Sequence, residues 1–167
     1  SHAYQKMLYK YPQAEFPYAD LVSENRRWGR TEPEYVLLDT GVFAEHRYFD
    51  VFVEYAKVDA EDLLMRVTVH NRGPEPAPIH LLPTLWFRNT WSWDQGAAKP
   101  SLTEAGAGTI RASHAELGEH WLSCDGNPDL LFTENESNAQ RLWGRPNPSP
   151  YVKDAFHAYV IAGKREA

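Results

Sequence analysis

Residues 48–93 read YFDVFVEYAKVDAEDLLMRVTVHNRGPEPAPIHLLPTLWFRNTWSW, and this stretch decides the fold. Apolar and polar residues alternate in three runs, and the side chains of a strand point alternately to its two faces. The apolar face predicted for each strand in turn consists of Phe49, Val51, Val53 and Tyr55, then Leu63, Met65, Val67 and Val69, then Ile79, Leu81, Leu85 and Phe87. Because the turns at 57–61 and 71–78 are short, neighbouring strands should be antiparallel and form a β-meander.

The opposite face of these predicted strands is mixed, because Phe52, Leu64, Leu82 and Trp86 interrupt its polar residues. A face in contact with water would be more uniformly polar. The pattern therefore indicates that a second sheet, a loop or a partner domain covers part of this face. The alternative is a surface on which apolar residues are scattered singly.

The rest of the chain carries weaker signals, and turn residues separate them. Residues 1–17, rich in Tyr and Pro, favour an extended segment across a core. The further predicted elements are a helix at 18–27, strands at 34–39, 109–114, 120–124 and 130–133, a loop at 94–102, and a helix at 151–161. Short strands at this spacing predict an all-β, mainly antiparallel β-sandwich with one or two short helices, occupying residues 1–167 as a single domain or as part of one.

Composition excludes several classes of protein. The 167 residues suffice for one domain with a hydrophobic core. A net charge of -6 disfavours nucleic acid as a partner, since phosphate binding needs a basic field. No apolar run could span a bilayer and no signal-peptide pattern opens the chain, so no membrane partner is expected. The lone Cys124 cannot form an internal disulfide, which favours a reducing cytoplasm.

A segment rich in tryptophan and polar residues follows the third predicted strand and is the candidate site. Indole rings stack on sugar rings while polar side chains hydrogen-bond the hydroxyls, and aromatic residues also anchor domain contacts. The candidate substrate-binding or barrel-facing residues are Trp86, Arg88, Asn89, Trp91, Trp93 and Asp94. The alternatives are that Trp91 and Trp93 plug the end of the sandwich and that Asp94 caps a helix or a loop. Trp28, Trp121 and Trp143 are predicted to lie in the core.

Other chemistries find little support in the sequence. No glycine-rich phosphate loop is present, and no Cys or His spacing fits zinc. His70 and His80 flank the second turn, but Arg66 and Arg88 on the same face would repel a cation. We therefore expect no metal and no cofactor. An epimerase-like enzyme would pair a histidine with a carboxylate, but the candidates His120 and His157 have no companion motif.

Several segments of the sequence resemble the N-terminal region of bacterial proteins of the glycoside hydrolase family 63 type, which are related to the mannosyl-oligosaccharide glucosidases. The matching segments are Met7–Gln13, Phe16–Asp20, Leu38–Phe43, Arg47–Lys57, His70–Pro74, Leu82–Trp93 and Pro150–His157. They cover most of the chain, and the segment that ends at Trp93 is the most specific for this family.

The resemblance implies a β-sandwich of the supersandwich, galactose-mutarotase-like kind that precedes an (α/α)6 barrel. It implies that the parent enzyme hydrolyses α-linked glucosides with inversion of the anomeric configuration, and that its catalytic carboxylates lie on that barrel. This chain is too short to contain the barrel, so no catalytic residue is assigned. The resemblance also implies that part of the sandwich precedes Ser1.

The expected function is a non-catalytic domain that supports the catalytic barrel and borders its sugar cleft. Its expected partners are that barrel and an α-glucoside or oligosaccharide. The alternatives are a free-standing carbohydrate-binding module with Trp86, Trp91 and Trp93 as its platform, and a purely structural interaction domain.

Overall fold

A computed structural model describes residues 3–93 and 96–164 of the chain. The chain divides into two compact units, Ser1–Ile79 and His80–Ala167. Each unit holds one three-stranded antiparallel sheet, and a few short helices accompany the sheets. The fold is therefore mainly β, as predicted, while the division into domains stays a prediction. No helix among the described residues is long and apolar enough to cross a membrane.

The sheet of the first unit runs in the order β1-β2-β3, formed by Tyr4–Pro12, Tyr48–Lys57 and Leu63–Asn71. The prediction of β2 and β3 is confirmed. The predicted third strand is wrong, because residues 79–88 have no regular structure. Pro83 interrupts that run and cannot donate a hydrogen bond to a ladder. The N-terminal segment, predicted only to be extended, supplies the third strand.

The register gives the sheet one apolar face and one mixed face, on which the row of Leu8, Phe52 and Thr68 separates two charged rows. On the apolar face, Val51 lies between Tyr9 and Val69, and the next row holds Met7, Val53 and Val67. On the other face, Asp50 lies between Lys10 and His70, and Glu54 between Lys6 and Arg66. Acidic residues on β2 thus face basic residues on both neighbours, which stabilises the pairing.

The buried Asp50 links β1 and the turn after β3 at one end of this sheet. It is 6% exposed, and its two carboxylate oxygens accept hydrogen bonds from Lys10 Nζ at 2.8 Å and Arg72 Nε at 2.7 Å. The Lys10 ammonium also lies 4.1 Å from the centre of the Tyr48 ring, within cation–π range. One carboxylate therefore fixes the end of β1 and the turn after β3 against β2.

The connection from β1 to β2 contains helix α1, Tyr18–Arg27, as predicted. The strand predicted at 34–39 is wrong. The side-chain amide of Asn25 accepts from the Tyr35 N–H at 3.0 Å and donates to the Tyr35 carbonyl at 2.8 Å. Both backbone groups that a neighbouring strand would need are thus taken, and the chain continues into a 3₁₀ turn at Leu37–Thr40.

The sheet of the second unit is an antiparallel meander of β4, β5 and β6, formed by Ser101–Gly106, Thr109–His114 and Gly118–Ser123. The predictions at 109–114 and 120–124 correspond to β5 and β6. The loop predicted at 94–102 is wrong at 101–102, where β4 begins. The strand predicted at 130–133 is irregular.

Two helices follow, α2 at Ala139–Trp143 and α3 at Ala155–Val160. The helix predicted at 151–161 begins late because its first residues are engaged elsewhere. The Tyr151 carbonyl accepts from the Glu134 N–H at 2.6 Å, and the Lys153 N–H donates to the Glu136 carbonyl at 2.9 Å.

Few hydrophobic side chains of the described residues are buried. Phe49, Ala112 and Val152 are each 3% exposed, whereas Met7 and Tyr9, on the apolar face of the first sheet, are 54% and 55% exposed. The accessible surface is 13349 Å². Two separate folded bodies of half this mass would together expose about 10,200 Å². The first sheet therefore presents apolar surface that a complete core would cover.

Candidate functional site

The predicted site is a folded-back segment at residues 86–93. The Thr90 N–H donates to the Arg88 carbonyl at 2.8 Å, and the Trp93 N–H donates to the Thr90 carbonyl at 3.1 Å. These two tight turns reverse the chain. They bring the Arg88 guanidinium to 5.2 Å from the centre of the Trp93 ring, a cation–π contact.

The exposure of the three tryptophans differs within this segment. Trp86 and Trp93 are 71% and 70% exposed, while Trp91 is half-buried. The alternative that Trp91 and Trp93 together plug the end of a core is therefore wrong for Trp93. Trp86 and Trp93 present indole surface to solvent, and Arg88 beside Trp93 presents hydrogen-bond donors.

A ring contact holds the segment to its own unit. The Phe87 ring lies 5.4 Å from the ring of His114, at the end of β5. Asn89 is half-buried, and its Oδ1 atom is inaccessible to solvent and has no hydrogen-bond partner. A buried acceptor without a donor costs free energy. The remaining predicted residue, Asp94, lies outside the described residues.

The structure exposes two tryptophans that the sequence assigned to the core. Trp121 on β6 and Trp143 on α2 are 61% and 63% exposed, so that prediction is wrong for both. Trp28 is half-buried and packs edge-on against Tyr35, with ring centres 5.6 Å apart. The sequence did indicate that Trp121 is exposed, because Glu119 and Ser123 share its face of the strand and are polar.

The carboxylates with perturbed titration have lowered pKa values. The hydrogen bonds from Lys10 and then Arg72 hold the pKa of Asp50 below its ordinary value. The Tyr4 hydroxyl, which donates to Glu54, lowers the pKa of that carboxyl in the same way. A general acid that acts near neutral pH needs a raised pKa. These two carboxylates therefore stabilise the sheet as anions.

Asp154 belongs to a similar network in the second unit. Arg141 donates to its Oδ2 at 2.9 Å and Asn138 to its Oδ1 at 3.0 Å, and these bonds lower the pKa of Asp154. Asn138 also caps α2, because its Oδ1 accepts from the Arg141 N–H at 3.0 Å. Among the described residues, no three His, Cys, Asp or Glu side chains are grouped closely enough to hold a metal ion.

Comparison with known proteins gives a relative but no family. No protein-family model matches the chain, and no solved structure matches it. The chain is similar to the uncharacterized protein YMR196W of Saccharomyces cerevisiae, with 35% identity over 203 residues. The match covers all of this chain and 19% of the yeast protein. The chain thus spans about a fifth of a larger relative, which has further sequence outside the matched part.

Proposed function

We propose that this chain is a non-catalytic β domain of a larger glycoside hydrolase that acts on α-glucosides. It supports a helical (α/α)6 catalytic barrel and borders the sugar cleft through residues 86–93. The parent is an inverting, glucosidase-like enzyme, and its two sheets are part of a supersandwich. The same proposal places the enzyme in the cytoplasm.

The observation that carries the proposal is the pair formed by Arg88 and Trp93, an exposed indole with a guanidinium 5.2 Å above it. An indole offers a flat apolar surface for the C–H groups of a sugar ring, and a guanidinium offers several donors for its hydroxyls. The open apolar face of the first sheet favours the role of a domain that packs against the barrel, since exposed apolar faces mark interaction surfaces. The match to one fifth of a larger protein supports the presence of further domains.

The proposal is tested on the full reading frame that contains this chain, with hydrolysis of a p-nitrophenyl α-glucoside and of α-linked disaccharides as the assay. The chain alone should be inactive, and the Trp93→Ala parent should show a raised KM because a residue that borders the cleft contributes to binding. Trp143→Ala, with a similarly exposed indole in α2, is the control and should leave KM unchanged. Full activity of the isolated chain would refute the proposal.

A free-standing carbohydrate-binding module is the second candidate, because the exposed indoles of Trp86 and Trp93 provide a stacking surface without any catalytic partner. It predicts millimolar or tighter binding of oligosaccharides by the chain alone, measured by calorimetry. That binding should be lost in Trp91→Ala and Trp93→Ala. A parent protein without hydrolytic activity, combined with such binding, would favour this candidate over the first.

A further inference from the structure

The second sheet has a polar face that holds one exposed aromatic ring. The register places Thr103, Arg111 and Trp121 in one row across β4, β5 and β6. The next row contains Ser113 and Glu119. An ion pair joins the two rows, since Arg111 Nε lies 2.8 Å from Glu119 Oε2.

This face is open, and it is not the core side of its sheet. Trp121 is 61% exposed, and the side chains of Arg111 and Glu119 are 53% and 41% exposed. The buried Ala112 belongs to the opposite face, where it lies across from Leu102. The sheet therefore turns its apolar side inward and presents an indole among hydroxyl and charged side chains.

The chemistry of this face fits a neutral, hydroxyl-rich ring. The Trp121 indole supplies a flat apolar plane in the same row as the Arg111 side chain. The ion pair engages Nε and leaves the terminal amino groups of Arg111 as donors, while Glu119 supplies acceptors. Because the two charges cancel, the face carries no net field for a phosphate or another ion.

We propose that this face is a sugar-binding surface, on which one pyranose ring of a neutral oligosaccharide stacks on Trp121 and its hydroxyls bond to Arg111 and Glu119. The surface shares no residue with the segment 86–93 and does not require the parent to be a hydrolase. Only the choice of an α-glucan as the first probe rests on the proposed function.

The test is calorimetric titration of the whole chain with maltotetraose and with cellotetraose. Trp121→Ala should weaken the binding of the preferred sugar at least about tenfold, because a stacked indole is a dominant contact. Trp143→Ala removes an indole of nearly equal exposure from α2 and should change Kd less than about twofold. Arg111→Gln keeps the indole but removes the guanidinium donors, so a several-fold loss there supports the same geometry should Trp121→Ala fail to fold.

Three results would overturn the proposal. The first is that neither tetrasaccharide binds at millimolar concentration. The second is that Trp121→Ala binds as well as the unmodified chain while Trp93→Ala does not, which would place the sugar on residues 86–93 and leave the proposed function standing. The third is self-association of the chain in sedimentation that Trp121→Ala abolishes, which would make this face a protein interface.

Discussion

Truncation of Phe49 should remove a large part of the stability of the first unit. Phe49 is 3% exposed at the start of β2, and burial of this kind makes Phe→Ala cost about 3–5 kcal/mol. We expect about 3 kcal/mol, the lower end, because its cross-strand partner Tyr11 is 49% exposed and leaves room for water and relaxation. A unit of 79 residues has a total stability of about 4–12 kcal/mol.

Phe52→Ala is the matched control, because it makes the same chemical change on the same strand but on the opposite face. Phe52 is half-buried. Its ring centre lies 5.8 Å from the ring centre of His70, with the two rings nearly perpendicular, and 5.0 Å from Lys6 Nζ. Its loss should cost about 1–1.5 kcal/mol, roughly half the value for full burial. The expected difference of about 2 kcal/mol between the variants follows from burial alone.

Native-state hydrogen exchange read by mass spectrometry on peptides from β2 and β3 measures this free energy within the first unit. Fluorescence would mix the two units, because Trp28 belongs to the first and the other five tryptophans to the second. If Phe49→Ala costs no more than Phe52→Ala, the cost of truncation on β2 does not follow the burial of the side chain.

The remaining predictions concern single contacts. Lys10 lowers the pKa of Asp50, so the contribution of this carboxylate to the stability of the first unit is complete above about pH 5 and is lost as the pH falls through the folded pKa. In the Asp50→Asn variant, the urea midpoint of the first unit should therefore depend less on pH between pH 5 and pH 2. Glu45 has a positive φ of 54°, so Glu45→Gly should stabilise by about 0.5–1 kcal/mol in urea denaturation, and a loss of stability would contradict that strain. Asn138→Ala should cost about 1–2 kcal/mol by exchange of the α2 amides, since it removes the cap; the neighbouring Ser137→Ala should change them little, and equal effects would argue against capping.

Alternation of polar and apolar residues was sufficient to predict β2 and β3, and turn residues at regular spacing predicted β5, β6 and the mainly β class. These strands carry their pattern locally, and a five-residue turn brings β2 and β3 together. The third strand of this sheet could not be predicted in the same way. Sequence proximity favoured the run at 79–87, but Pro83 breaks its ladder, and the third strand, β1, comes from the other end of the unit.

The candidate site was predicted in composition but only partly in geometry. Residues 86–93 carry a dense group of indoles, and no pattern in them reveals the two turns that bring Arg88 over Trp93. Trp121 was assigned to the core because tryptophan is hydrophobic, although its strand neighbours Glu119 and Ser123 share its face. Face assignment by alternation therefore predicts exposure better than residue type does at this position.

The position of β1 has a consequence for the order in which the first unit folds. β2 and β3 can close their hairpin within microseconds across a short turn, whereas β1 must wait for a loop of 35 residues, 13–47, to bring it alongside β2. During synthesis β1 emerges before β2 and β3 but pairs after they have paired with each other. Until β1 pairs, its methionine and tyrosines have no cross-strand partners, and the isolated hairpin of β2 and β3 is only marginally stable. Removal of the first twelve residues should therefore leave a chain that cannot retain this sheet.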